Sequence, residues 1–173
     1  MQPSCLSGSW SLHQADFPAF HQVLHQAGDR LLNVSVAGDD EIISAFATTH
    51  AGGSSAGVEG LQIFVTNFSP MEGATATPKN ATAQDISLTI KAAAGATMPT
   101  TAFLWRIDDN STRAFAAWQD MGSPEYPTPA ELAELHDASE MKAEELTVAA
   151  GGRLAFHLPP YAVGVVRFSD AAY

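Results

Sequence analysis

The chain has 173 residues, enough for one domain with a single core and too few for a complete α/β barrel with an additional domain. Aspartate and glutamate number 19 against 8 lysines and arginines, so the formal net charge is -11. Such a charge repels the phosphates of nucleic acids and anionic lipid surfaces. We therefore expect neither a nucleic acid nor a membrane as a partner.

The chain contains one cysteine, Cys5, which excludes an intrachain disulfide and any zinc site built from several thiolates. Its N-terminus lacks the basic start and the apolar run of a secretory signal, and no apolar stretch approaches the ~20 residues that span a bilayer. We expect a soluble chain with no export signal of its own, while the cellular compartment stays open.

A helix is predicted over residues 17–29, after a loose N-terminal segment of residues 1–16. Asp16 can cap this helix, Pro18 suits its first turn, and Gly28 ends it. Its apolar residues share one side at helical spacing: Phe20, Val23, Leu24 and Ala27. Because an exposed apolar side tends to find cover, the helix should fold back on the domain, fray or pair with a second copy, and we favour a homo-oligomer.

Residues 30–173 are dominated by short segments in which apolar and polar residues alternate, as in half-buried strands. A first hairpin is predicted from Leu32, Val34 and Val36, a turn at residues 38–40, and a strand from Ile42 to Thr48. Further strands are predicted around residues 61–66, 85–91, 103–107, 146–148, 154–158 and 163–166. Sequential short strands indicate a mainly β fold, an antiparallel β-sandwich of about eight strands with two or three short helices.

A helical insertion is predicted over residues 112–141 of this sandwich. The polar run at residues 108–112 supplies a cap for a first helix, which ends at Gly122-Ser-Pro124. The second helix begins with Thr128 at the N-cap, Pro129 at the first helical position and Glu131 at the third, and it runs to about Met141. This capping sequence is the strongest local signal in the chain.

The acidic residues do not form a recognisable catalytic pair. A retaining glycosidase holds two carboxyl groups about 5 to 5.5 Å apart across a substrate cleft. Asp108 and Asp109 are neighbours at a strand end, where alternation points them apart, and turn or cap duty is the usual role there. Glu131 already has its capping role. No catalytic residue is therefore predicted.

Two patterns resemble metal sites without completing one. His21 and His25 have the spacing that lets two imidazoles reach one zinc ion, but no third ligand is nearby, and Gln22 replaces the glutamate of the metalloprotease motif. The run at residues 108–112 resembles a calcium loop, but Arg113 occupies the position that needs glycine. We expect no metal and no cofactor.

Aromatic residues are the remaining candidates for ligand contact, because rings can stack on sugars. Trp105 and Trp118 are in phase with apolar neighbours on a strand and on a helix, so core packing is predicted for both. Tyr126 lies in a loop between Pro124 and Pro127 and is the ring predicted to be exposed. It is the one candidate substrate-binding residue.

Two segments resemble the C-terminal region of family 39 glycoside hydrolases, the relatives of β-xylosidase and α-L-iduronidase, with the xylosidase branch closer. They are Leu104-Trp-Arg-Ile-Asp-Asp109 and Ala117-Trp-Gln-Asp-Met-Gly-Ser-Pro-Glu-Tyr-Pro-Thr-Pro129. Three further pieces match in the same order, at residues 17–30, 61–67 and 158–163. The similarity spans about residues 17–168.

The resemblance implies that residues 17–29 correspond to the last helix of an α/β barrel and residues 30–173 to the sandwich that follows it. In the family the barrel carries both catalytic glutamates, one of them in an Asn-Glu pair, and no such dipeptide occurs in this chain. The expected role is thus a non-catalytic accessory domain, with the catalytic barrel of a parent retaining glycosidase as partner. The alternative is a free-standing carbohydrate-binding module that holds a xylo-oligosaccharide at Tyr126.

Overall fold

The computed structural model describes residues 27–38, 42–49, 58, 60–68, 81–92 and 97–168. Several expectations lie outside these residues. They are the loose segment 1–16, the helix over 17–29 apart from its last residues, the turn at 38–40 apart from Gly38, and the side chains of Cys5, His21 and His25. No helix in the described part of the chain is long and apolar enough to cross a membrane.

The described residues form eight strands and two helices. The first five strands are β1 (Arg30–Leu32), β2 (Ile43–Thr49), β3 (Gln62–Asn67), β4 (Gln84–Thr89) and β5 (Thr101–Ile107). The rest of the chain forms α1 (Ala114–Asp120), α2 (Pro129–Ser139), β6 (Glu144–Thr147), β7 (Arg153–Leu158) and β8 (Ala162–Arg167). The two helices lie between β5 and β6, within the insertion predicted at residues 112–141.

The strands form two antiparallel sheets, which confirms the predicted β-sandwich. The larger sheet has the order β1-β2-β3-β8-β5-β6, and β4 pairs with β7 in a two-stranded sheet. The last strand of the chain therefore lies at the middle of the larger sheet, between β3 and β5. The larger sheet forms only when this strand has joined strands far from it in sequence.

The core lies between the two sheets. Alternate residues of the central strands point inward and are almost fully buried, among them Val65, Leu104 and Val166, and β7 contributes Leu158 from the opposite sheet. The two sheets meet at Gly164 on β8, where a Cβ would lie in van der Waals contact, 3.4 Å from the side chains of both Leu104 and Leu158. A side chain longer than a methyl group would displace these core residues.

Asn67, the last residue of β3, joins the two sheets by hydrogen bonds. Its side chain is fully buried, and its Nδ2 atom donates to the carbonyl oxygens of Thr82 at 2.8 Å, Pro159 at 2.8 Å and Leu158 at 3.2 Å. Thr82 precedes β4, and the other two residues lie at the end of β7. One side chain therefore connects the larger sheet to both strands of the smaller one, at the end where β4 begins and β7 ends.

The first predicted hairpin is only partly present. Strand β1 pairs with β2 over Arg30–Leu32 and ends there, so Val34 and Val36 do not continue the ladder as predicted. Val34 packs against the core from outside the sheet, while Val36 is 38% exposed. The apolar alternation in this segment therefore reflects the contact of Val34 with the core and not a longer strand.

The insertion begins and ends differently from the prediction. Arg113 occupies the N-cap of α1 and makes no side-chain capping bond, so the polar run 108–112 does not cap this helix. The hydroxyl of Thr112 instead donates to the carbonyl of Asp108 at 3.2 Å. Helix α2 ends at Ser139 and not at Met141, because Glu140 is already extended and leads the chain toward β6.

The capping box of α2 is present as predicted. The backbone N–H of Glu131 donates to the Thr128 hydroxyl at 3.4 Å, and the Glu131 carboxylate accepts the backbone N–H of Thr128 at 2.6 Å. The backbone bond, followed by the bond from the Thr128 hydroxyl, holds the pKa of Glu131 below its ordinary value of 4.5. The ionised carboxylate is the form that the box stabilises.

Asn67→Ala is expected to lower the free energy of unfolding by about 1 to 3 kcal/mol, because buried carbonyls lose their donor at the junction of the sheets. Urea unfolding monitored by circular dichroism measures this. The control is Asn33→Ala, at an exposed position after β1, which should change stability by no more than about 0.5 kcal/mol. Equal effects of the two changes would show that the Asn67 bonds do not join the sheets.

Thr128→Ala is expected to lower the free energy of unfolding by about 0.5 to 2 kcal/mol at pH 7, the range for losing such a cap. Urea unfolding of the two proteins side by side measures the difference.

The effect should also depend on pH. The folded-state pKa of Glu131 is lowered. The stability that its ionised carboxylate contributes is therefore fully present above the ordinary pKa of 4.5 and is lost as the pH falls through the lowered pKa. The gap between wild type and Thr128→Ala should therefore narrow at low pH. A gap that stays constant between pH 7 and pH 3 would show that the carboxylate takes no part.

Candidate functional surface

The helical insertion presents most of the surface to which the sequence assigned a role. Helices α1 and α2 pack chiefly against each other, and the backbone N–H of Arg113 donates to the carbonyl of Ala138 at 2.8 Å. The insertion leaves the sheet at the end of β5 and returns at β6, and these two strands are paired neighbours. Both ends of the insertion are thereby held by one edge of the larger sheet.

Tyr126 lies in the loop between the helices and is 81% exposed. The loop is shaped by positive φ angles at Gly122 and Ser123 and by a hydrogen bond from the Trp118 indole N–H to the carbonyl of Pro124 at 3.1 Å. The exposed position expected for this ring is therefore present. Its role as a sugar-stacking residue stays a prediction.

Trp105 and Trp118 do not lie in the core between the sheets, contrary to the prediction. Trp105 is half-buried on the opposite side of the larger sheet, where its ring is tilted against Phe103 at 6.2 Å between centroids. Trp118 is half-buried in the insertion and stacks on Phe115, which is 67% exposed. The apolar spacing of these two residues therefore marks apolar surfaces outside the main core.

A polar groove of about 570 Å³ lies between the insertion and the adjacent ends of β5 and β6. Its charged lining residues are Arg106, Arg113, Asp120, Glu134, Asp137, Glu140, Lys142 and Glu144. Arg106 bonds to the carboxylate of Glu144 at 2.8 Å and donates to the carbonyl of His157 at 3.2 Å. Arg106 is thus paired within the protein itself, and no aromatic ring lines the groove.

The acids singled out from the sequence have structural roles. Asp108 is buried, and one carboxylate oxygen accepts the backbone N–H groups of Asn110 at 2.8 Å and Ser111 at 2.6 Å. Its other oxygen accepts the Ser111 hydroxyl at 3.2 Å. This confirms the turn role predicted for Asp108, while Asp109 beside it is exposed. Glu131 is occupied by its capping box.

One cluster of possible metal ligands was not anticipated. His136, Asp137 and Glu140 bring ligand atoms within 4.8 Å of one another at the end of α2, and all three side chains are exposed. The signal in the sequence was their spacing over one helical turn. Exposed groups of this kind are common on helix ends without a metal, and the His136 imidazole lies 4.0 Å from the Glu140 carboxylate as an i,i+4 pair.

The fold and the sequence define the class of protein. The architecture is an antiparallel β-sandwich with a helical hairpin inserted between two adjacent strands. The family model of the glycosyl hydrolases family 39 matches residues 9–155, and the chain belongs to this family. The resemblance found in the two motif segments is thereby confirmed. No curated protein matches the chain.

Solved structures of family 39 enzymes share this fold. A bacterial orthologue of human α-L-iduronidase matches with a TM-score of 0.55 and 19% identity, covering 88% of this chain and 27% of the other. A β-xylosidase of Caulobacter crescentus matches with a TM-score of 0.51 and 16% identity, covering 84% of this chain and 26% of the other. This chain thus spans only about a quarter of the length of either enzyme.

Proposed function

We propose that this chain is the non-catalytic C-terminal sandwich domain of a β-xylosidase-like hydrolase, supporting a catalytic α/β barrel that cleaves O-glycosyl bonds by a retaining mechanism. The observation that carries the proposal is the combination of family and fold. The family is one of glycoside hydrolases, while the described residues form a sandwich that corresponds to about a quarter of a family 39 enzyme.

The hydrogen bonds that the candidate carboxyl groups make support the non-catalytic role. A catalytic acid or nucleophile must face substrate. Asp108 instead accepts three hydrogen bonds within its own turn, and Glu131 is bonded to Thr128. Each of these carboxylates is engaged in holding local structure, so neither is free to protonate a leaving group or attack a sugar.

The sandwich also has the rigidity that a supporting domain requires. Its core spans both sheets, and the Asn67 side chain joins one sheet to the other by hydrogen bonds. A domain built in this way can hold a neighbouring barrel in one orientation. Its function is mechanical, and the chemistry belongs to the barrel.

The genomic sequence immediately upstream of this chain tests the proposal. We expect it to continue in frame into a barrel that contains an Asn-Glu pair and a later strand-end glutamate. The barrel expressed without this domain should then unfold at a lower temperature than the joined protein. A separate upstream gene with no barrel, or a barrel whose stability and kcat do not change on removal of the domain, would refute the supporting role.

The purified chain is expected not to hydrolyse aryl β-xylosides, because Asp108 and Glu131 are held by local hydrogen bonds and the Asn-Glu pair of the family does not occur in the sequence. A colorimetric assay at high protein concentration measures this, with Asp108→Asn and Asp109→Asn as matched variants. Turnover that copurifies with the chain and disappears in either variant would contradict the prediction.

The exposure of Tyr126 favours one second candidate, a carbohydrate-binding module that uses the loop at residues 122–128. An 81% exposed ring on a loop shaped by Gly122 and Ser123 is suited to stacking on a sugar. Titration with xylohexaose, followed by NMR, should then shift the ring resonances of Tyr126 in a saturable manner, and Tyr126→Ala should abolish binding. Unshifted resonances at millimolar sugar would dismiss this candidate.

A further inference from the structure

Strand β4 forms an open edge of the smaller sheet. One side of this strand is bonded to β7 over Gln84–Thr89, and no other strand in the described part of the chain pairs with it. The side chain of Asp85, which lies near the start of β4, is 95% exposed, as expected for a strand that has a neighbour on one side only. Within the described residues, β4 is therefore an edge strand.

The backbone of β4 directs a regular row of hydrogen-bonding groups toward this open edge. The N–H of Ile90 donates to the carbonyl of Gly152 at 2.9 Å, so the even-numbered residues of β4 are the ones that bond to β7. The odd-numbered residues therefore point their N–H and C=O groups away from β7. These residues are Asp85, Ser87 and Thr89. The same alternation is visible on β7, where the carbonyl of His157 points away from β4 and accepts from Arg106.

The other three edges of the two described sheets are protected against pairing with another chain. Strand β1 has only three residues, and β6 has four, two of which are Glu144 and Glu145. The free side of β7 is occupied at both ends, by a short pairing of Ala149 with Arg153 and by the bond from Arg106. Short, charged or occupied edges discourage such pairing. Strand β4 has six residues, contains no proline and carries no charge on its core-facing side.

The core-facing side of β4 is apolar and incompletely buried. Its residues Ile86, Leu88 and Ile90 pack against the core, but each of them is partly exposed. The β7 residues opposite the first two, Phe156 and Leu154, are only 7% and 4% exposed. This difference is expected when β4 has no strand on its outer side. A further strand at this edge would complete the burial of three apolar side chains.

We propose that β4 pairs antiparallel with β4 of a second copy of this chain, about a two-fold axis at Leu88. In this register Ser87 lies opposite Thr89 of the second copy, and Asp85 lies opposite Lys91, each pair occurring twice by symmetry. The odd-numbered residues exchange the backbone bonds, as their direction requires, and Leu88 lies opposite its own copy. The smaller sheets of the two copies thereby join into one sheet of four strands.

The charges on β4 favour a second copy and select this register. Asp85 and Lys91 are both exposed and have the spacing that places them on one side of the strand. Opposite charges directly across two strands stabilise their pairing, and moving the axis by one residue, to Ser87 or Thr89, would separate these two. Because the net charge of -11 makes two copies repel each other elsewhere, an edge with matched charges is where they can meet. The pairing does not depend on the proposed function.

The test is a charge exchange in the full chain, read by sedimentation over a range of protein concentrations. The unaltered chain should show a monomer–dimer equilibrium. Asp85→Lys and Lys91→Asp each put like charges opposite each other at both symmetric positions, so each should weaken the dimer about tenfold or more. An equal mixture of the two variants should restore the dimer, because each copy then offers the opposite charge at both positions.

Matched controls carry the same charge changes on the helical insertion. Glu125→Lys and Lys142→Asp should leave the dissociation constant within about twofold at about 0.15 M salt, where distant exposed charges are screened. Circular dichroism of all four variants should match that of the unaltered chain. A mixture of Asp85→Lys and Lys91→Asp that stays monomeric, or controls that weaken the dimer equally, would show that β4 is not the interface.

Cross-linking measures the register independently of the charge variants. In a Cys5→Ser background, Leu88→Cys lies on the two-fold axis and should form a disulfide-linked dimer on mild oxidation. Ser87→Cys lies opposite Thr89 of the second copy, beyond disulfide distance of its own copy, and should cross-link about tenfold more slowly or less. Equal rates for the two cysteines, or an unaltered chain that stays monomeric up to about 1 mM, would overturn the proposal.

Discussion

The structure depends on the need to cover the two-stranded sheet of β4 and β7. A sheet of two strands is at best marginally stable in water, so its apolar face must be buried against another layer. The larger sheet supplies that layer, with β8 at its centre, and Gly164 lets the two sheets approach closely. Asn67 then donates to carbonyls beside both strands of the smaller sheet, at the end where β4 begins and β7 ends, so that these buried acceptors have a donor.

This requirement fixes the order of the strands. Strand β8 must lie between β3 and β5, although about 55 to 105 residues separate its residues from their partners in sequence, so the core is made almost entirely of contacts between distant segments. The helical insertion is different. It is bounded by β5 and β6, which are neighbours in the sheet, and its capping box and Asp108 turn are local, so it can vary without disturbing the core.

The surface that results separates two kinds of feature. The insertion carries the exposed ring of Tyr126 and a polar groove in which Arg106 is paired with Glu144. The larger sheet has an apolar face, on the side away from β4 and β7, whose middle residues are buried. Exposed rings suit contact with sugars, and covered apolar faces suit packing against protein. A domain that supports a barrel needs the second kind of surface, and a binding module needs the first.

Local chemistry in the sequence was sufficient for the features that depend on a few neighbouring residues. Thr128, Pro129 and Glu131 specify a helix start by hydrogen bonds within one turn, and Asp108 is placed to accept the N–H groups two and three residues later. Alternation identified most strands and therefore the sandwich. It could not show that β1 stops at Leu32, because β2 continues to Ile43 and the alternation of apolar residues does not say where one strand leaves its partner.

Tertiary structure decided which side of each strand faces which layer. Trp105 has the apolar phasing of a core residue, but phasing alone does not say which face of a sheet a residue occupies, so its placement on the side away from β4 and β7 was not predictable. The joining role of Asn67 was equally hidden, since its partners are 15 to 92 residues away. The sequence by itself determined most of the elements, the cap of α2 and the family. Which face of each strand is buried was decided by the pairing of distant strands. A residue is buried by the layer packed against it, and that layer comes from another part of the chain.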